Sequence, residues 1–121
     1  MFAYNYDALA GTATNGKAII TNMSNGGHHT RTLLVSKSYP DLLLVSRGSE
    51  GNIDPLAGNA STGHSTIKYF SIVQSTNSPV DHAQGGVLLG WGLRNSVGVA
   101  EHPTTGGIVS ASRQRRIFID A

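Results

Sequence analysis

The sequence predicts an all-β fold built from short strands. Glycine is in excess, at 15 of 121 residues, and Ser, Thr and Asn are also frequent. Charged residues make up 13% of the chain, against roughly 25% in an ordinary globular domain. That is too few to clothe the outer faces of long amphipathic helices. Short β-branched or aromatic runs recur between turns marked by Gly, Pro or Asn, and an apolar fraction of 39% is enough to fold around a modest core.

Taken in order, Phe2 to Asp7 alternates aromatic and polar residues and reads as a strand, with Gly11 to Gly16 as a turn cluster and Lys17 to Thr21 as a second strand. Asn22 to His29 is a Gly/Asn-rich loop. Thr32–Lys37 and Leu42–Ser46 are apolar runs joined by Ser38-Tyr39-Pro40-Asp41, whose turn formers predict a hairpin. Gly48 to Gly63 is a long polar loop, of a length more often functional than idle. Ser65 to Val73 reads as a strand with Ile67, Tyr69, Ser71 and Val73 on one face, and Ser75 to Gly86 as a loop. Val87–Leu89 and Val97–Ala100 are further strands around Trp91 to Asn95, His102 to Gly107 is a turn, and Ile108-Val109 opens a last strand. About eight strands at this spacing fit a sandwich, a barrel or propeller blades, and no clean internal repeat decides between them.

The formal net charge of +2 resides in the final residues, where Arg113, Arg115 and Arg116 face only Asp120. The body is electrically balanced, which argues against a nucleic-acid groove; the tail reads as a solvated basic terminus. There is no cysteine, so disulfides and thiolate metal sites are excluded. No apolar run approaches a membrane span, and Met1 to Ala10 has no signal-peptide pattern. Asn22-Met23-Ser24 and Asn59-Ala60-Ser61 match the N-glycosylation triplet, a weak pointer to secretion.

Two segments could carry chemistry. In Gly26-Gly27-His28-His29-Thr30-Arg31 the glycines leave two imidazoles open to a ligand, and a loop histidine can act as a general base near neutral pH. An ordinary exposed turn is the competing reading. No third ligand stands at a spacing that suggests a metal. In Gly90-Trp91-Gly92-Leu93-Arg94-Asn95-Ser96-Val97-Gly98, Arg94 offers a planar donor fork and Asn95 both donor and acceptor. A structural Arg–Asp pair with a turn Asn competes there. His64, His82 and His102 sit among loop residues and are expected at the surface; Asp81-His82 lacks a serine in a nucleophile-elbow pattern.

Three stretches together narrow the choice. They are Gly-His-His-Thr-Arg-Thr-Leu-Leu from Gly27, Leu-Val-Ser-Arg-Gly-Ser from Leu44, and Gly-Trp-Gly-Leu-Arg-Asn-Ser-Val-Gly-Val-Ala-Glu-His-Pro-Thr-Thr-Gly from Gly90. In order and spacing, from about Tyr4 to Ile108, the chain resembles the fungal PQQ-dependent pyranose (L-sorbosone-type) dehydrogenases, relatives of the soluble quinoprotein glucose dehydrogenases. The resemblance implies a six-bladed β-propeller with PQQ and calcium in its central cavity, of which this chain supplies a partial β-propeller of about two four-stranded antiparallel blades. It implies an oxidoreductase that oxidises the anomeric hydroxyl of pyranose sugars by hydride transfer to PQQ, passes electrons to an acceptor, and works outside the cell.

By position His28 matches the family's base, with His29 one residue away as the alternative. Arg94 matches the arginine facing the quinone, Asn95 the neighbouring contact, and Arg31 a further cofactor contact; Arg47 and the Gly48–Gly63 loop are candidates to line the cavity. Residues 1–108 are expected to form the dehydrogenase part and residues 109–121 a divergent basic tail outside the fold. The family's calcium loop and later basic residues have no counterpart in the sequence, so the chain is expected to be inactive alone. The alternative is a non-catalytic β-module binding carbohydrate or a protein partner.

Overall fold

The computed structural model describes residues 1–112 in full and the backbone of Arg116–Ile119. The all-β expectation is met: among the described residues eleven strands are accompanied by one short helix and two 3-10 turns. A hairpin of β1 (Phe2–Asp7) and β2 (Thr12–Ala18) leads into β3 (Ile20–Thr21). A four-stranded antiparallel sheet follows, in the order β4 (Leu33–Val35), β5 (Leu42–Arg47), β6 (Thr66–Ser71), β8 (Val87–Trp91). It has the size and pairing expected of one blade. β9 (Ser96–Glu101), β10 (Ile108–Ser112) and β11 (Arg116–Ile119) make a three-stranded antiparallel sheet. β3 pairs in parallel with β7 (Val80–Asp81).

Several elements differ from the sequence reading. The Asn15-Gly16 pair, expected in a turn, sits inside β2 as a bulge: pairing shifts register between Ala3 and Asn5, and Asn15 takes φ 55°. The turn itself lies earlier, where Asp7 Oδ1 accepts from Leu9 N at 2.9 Å and Ala10 N at 3.0 Å. β6 stops at Ser71 because that residue caps the helix α1 (Ile72–Asn77), its Oγ accepting from Gln74 N at 3.1 Å. Asp41 reinforces the stop by accepting from Ile72 N and Val73 N, each at 2.8 Å. Val73 therefore points to solvent from a helix rather than lying on the strand face with Ile67. The expected end of the fold after Ile108 falls inside β10, which pairs with β9 through Ser112. Small side chains let these strands lie close, with Ala111 Cβ only 3.5 Å from where a Cβ on Gly98 would stand. Of the expected tail, residues 113–115, 120 and 121 lie outside the described residues.

β5 and β6 are covered on both faces. One face carries Leu43, Val45 and Phe70 against Ile19 and Ile20; the other carries Leu44 and Ile67 against Leu93 and Ile108. This central position buries β5 from Leu43 to Arg47 and fixes where the chain leaves it at Gly48. A polar seam sets the two larger sheets against each other. Thr32 Oγ1 donates to Val97 O at 3.0 Å and Ser46 Oγ to Ser96 O at 3.0 Å. At the far end Glu101 accepts from Ser36 Oγ, Lys37 N and Ser38 N at 3.2, 2.6 and 3.1 Å. The Ser38 hydroxyl first, then the bonds from Lys37 N, Ser38 N and Ser36 Oγ, hold its pKa down to about 2.

Candidate functional site

The Gly26–Arg31 loop and the Arg94-Asn95 turn, far apart in sequence, meet at the end of β5. Gly48 is the crossing point. A Cβ there would stand 2.9 Å from His28 Cβ, 3.0 Å from Arg94 O and 3.1 Å from Asn95 Oδ1, so only glycine admits this approach. Ser49, 4% exposed, bonds both sides: its N donates to Arg94 O at 2.8 Å, and its Oγ lies 2.9 Å from His28 Nδ1. Leu93 N donates to Ser65 O at 3.0 Å, and Leu93 is buried, which fixes the turn that presents Arg94.

His28 is half-buried and held, whereas His29 is exposed. Arg94 reaches Asn52 Oδ1 beside an open cleft of about 220 Å³ lined also by Ser49, Gly51 and Gly92. Gly51 and Gly92 have nothing within 4 Å of where a Cβ would be, so a flat ligand can approach their backbone. Asn95 Oδ1 is buried and accepts no hydrogen bond from the described residues. Arg31 is turned to the backbone: Nη1 donates to His28 O and Thr30 O at 2.8 Å each, and Nη2 to Met23 O. Its guanidinium braces the loop that carries His28.

Beneath the site lies a network that sequence reasoning missed. Arg47, proposed as a cavity-lining residue, is 4% exposed and committed to structure. Its Nε donates to Asn25 Oδ1 at 3.0 Å and its Nη2 to Ser24 O at 3.1 Å. Nη2 also lies 2.9 Å from His64 Nε2. Arginine cannot accept, so His64 Nε2 accepts and Nδ1 carries the proton toward Asp54 Oδ2 at 2.7 Å. Burial pushes the Asp54 carboxyl up, but hydrogen bonds from Glu50 N, His64 and Leu56 N outweigh it and hold its pKa below the usual carboxylate range. Burial lowers the Arg47 pKa, opposed by Glu50 and Asp54. Asn25 then donates to Gly48 O at 2.9 Å and Ser49 O at 3.0 Å, tying the histidine loop to the end of β5. Nothing in the sequence separates Asn25 from the turn asparagines around it.

Two histidines expected at the surface are buried, His64 at 6% and His82 at 0% exposed; His102 is exposed. His82 packs its ring 5.6 Å from that of Phe70, and neither ring nitrogen has a hydrogen-bond partner among the described residues. Burial, with Lys68, Arg47 and Arg31 nearby, lowers its pKa to about 3. Asp81 bonds instead to Ala83 N, Gln84 N and Asn22 Nδ2, so it forms no dyad with His82. Lys68 replaces its hydration by donating to His82 O, Ala83 O and Gly85 O at 2.9 to 3.1 Å.

A family model described as TrAA12-like matches residues 1–117. A relative from Hypocrea jecorina, named pyrroloquinoline quinone-dependent sugar dehydrogenase, is 48% identical over 114 residues, covering 91% of this chain and 26% of that protein. A pyrroloquinoline quinone-dependent pyranose dehydrogenase of Coprinopsis cinerea is 39% identical over 101 residues, 83% of this chain and 14% of that protein. Among solved structures, the calcium structure of the Trichoderma reesei family AA12 enzyme superposes with a TM-score of 0.85 at 46% identity, covering 92% of this chain and 28% of that one. The holo PQQ domain of the C. cinerea pyranose dehydrogenase gives 0.82 at 33% identity, covering 98% and 31%. The chain thus spans about a quarter of the length of its H. jecorina relative.

Proposed function

The chain belongs to the TrAA12-like family, and on that premise we propose that it forms one wall of a PQQ-dependent pyranose dehydrogenase site. The observation that carries the reading is the meeting of His28 and Arg94 across Gly48, both bonded to Ser49. The residues fit a flat, polyanionic quinone from one side. Arg94 brings a fixed positive charge and a planar fork, and the open backbone of Gly51 and Gly92 lets a ring lie close. PQQ, when bound, would supply the two-electron acceptor for a hydride from the sugar's anomeric carbon. His28 takes the proton of the anomeric hydroxyl through Nε2. Arg94 stabilises negative charge that develops beside it, and the unpartnered Asn95 Oδ1 receives a donor. Arg31 holds the His28 carbonyl and so the height of the ring. Calcium belongs to the intact domain in this reading, as do a propeller that closes the cavity and a location outside the cell.

The test is a domain of the relatives' full length carrying these residues, reconstituted with PQQ and calcium. His28→Gln is expected to lower sugar-dependent dye reduction on the order of 10²–10⁴-fold while PQQ stays bound, and His29→Gln to leave it unchanged. Full turnover by His28→Gln would reject the base assignment. The chain alone is expected to reduce no dye, because one wall neither excludes water nor orients the sugar; sugar-dependent reduction by the chain with PQQ and calcium would overturn that.

A further inference from the structure

We propose that Ser49 is a positioning residue that sets the tautomer of His28, fixing the proton on Nδ1 and leaving Nε2 as the free lone pair. The inference rests on the reading of His28 as the base for its functional meaning, but its geometry stands independently. A serine hydroxyl has one hydrogen to give and two lone pairs to offer. Ser49 Oγ lies 2.7 Å from Gly51 O and 3.3 Å from Arg94 O. Carbonyl oxygens only accept, so the hydrogen goes to Gly51 O, at normal hydroxyl distance. The third neighbour of Ser49 Oγ, His28 Nδ1 at 2.9 Å, must then be a donor. Were Nδ1 bare, the hydroxyl would turn to it and leave Ser49 Oγ facing Gly51 O with no hydrogen between them.

The arrangement is preset. Ser49 is buried. Its backbone is clamped by its own N–H to Arg94 O and by Asn25 Nδ2 on its carbonyl, so the hydroxyl cannot swing away. The ring is held from the other end, where His28 O accepts from Arg31 Nη1. A general base must present an unprotonated nitrogen in a fixed direction. Here a neutral hydroxyl, with its own hydrogen already committed, imposes that state without introducing a charge.

The tautomer can be read directly from the chain with ¹⁵N-labelled histidine, by two-bond ¹H–¹⁵N correlation in alkaline buffer, with His28→Gln assigning the signals. No cofactor or sugar is needed. Wild type is expected to show protonated Nδ1 and bare Nε2; Ser49→Ala is expected to lose that signature, and Ser49→Thr, which keeps the hydroxyl, to retain it. A wild-type His28 protonated on Nε2, or an Nδ1–H signature unchanged in Ser49→Ala, would overturn the proposal. The wild-type spectrum suffices even where Ser49→Ala does not fold. In the full-length domain, Ser49→Ala should lower kcat on the order of 10–100-fold, as when a group orienting a working histidine is removed, with KM little changed. Failure of the dehydrogenase reading would appear separately, as a His28→Gln variant that still turns over.

Discussion

Gly48→Ala puts the site's geometry to a quantitative test. A Gly→Ala change at a backbone conformation open to any residue ordinarily stabilises by about 0.4–1 kcal/mol, because the unfolded chain loses freedom. Gly48 is such a position by dihedral, since it is not among the residues with positive φ, yet the new methyl would meet three atoms at 2.9 to 3.1 Å. Unstrained carbon contacts begin near 3.5 Å, so His28 and the Arg94–Asn95 turn must each give way by several tenths of an ångström. Neither can do so freely: Ser49 bonds both, and Asn25 holds His28 O, Gly48 O and Ser49 O. Overpacking of this kind costs roughly 1–3 kcal/mol, which exceeds the entropic gain and leaves a net loss of about 0.5–2 kcal/mol. For a chain of this size that is roughly 2–8 °C in Tm, measured by circular dichroism. Gly58→Ala is the control: nothing lies within 4 Å of its Cβ position, so Tm should hold or rise slightly. A Gly48→Ala protein melting at or above wild type would refute the claim that the two loops close on this residue.

Arg47→Met should cost about 3 kcal/mol or more in chemical denaturation, since it strands partners in a buried network, and Arg47→Lys should not restore it because one ammonium cannot reach Asn25, Ser24 and His64 together. His82 binds its proton only near pH 3 when folded but near 6.5 when unfolded, so the unfolded state takes up more protons in between. Stability is therefore full above pH 6.5 and falls as pH drops toward 3, by at most about 1.4 kcal/mol per pH unit from this group; His82→Leu should flatten that slope in denaturant titrations across the window. Glu101, with its folded pKa near 2, stabilises above the ordinary carboxylate range and loses that effect as pH falls through 4.5 to 2. Glu101→Gln should melt lower than wild type at pH 7 and converge with it at pH 2.

Local chemistry made part of this structure legible. Pro40-Asp41 announced the hairpin between β4 and β5, and the alternation of Phe2 to Asp7 announced β1. The same aspartate shows the limit, because its bonds to Ile72 N and Val73 N come from a distant segment and turn the last two residues of an expected strand into the start of α1. Asn15-Gly16 suits a bulge as well as a turn, and only the partner strand decides. The two loops that could carry chemistry were visible as glycine-flanked His28 and Arg94. What joins them was not: Ser49 and Asn25 have no distinguishing neighbours in sequence. Polar identity also misled. His64 and His82 looked like surface residues and Arg47 like a cavity-lining one, yet all three are buried, as is Lys68; backbone carbonyls, a carboxylate or each other replace water around His64, Arg47 and Lys68, while His82 is buried without that compensation.

The parallel pairing of β3 with β7 has a bearing on how the protein is made. Ile20, fully enclosed in the finished fold, takes its backbone partner at Val80, 60 residues downstream. At a synthesis rate of about 5–20 residues per second, that partner follows roughly 3–12 s later. During that interval the backbone edge of Ile20 lacks its β7 partner, while the side chains that cover Ile19 and Ile20 (Leu43, Val45 and Phe70) emerge earlier, beside a β1–β2 hairpin able to form at once. The strand pairing that completes this face is thus made late and from a distance, and the β3 edge stays open to unwanted association while ribosomes are between Ile20 and Val80.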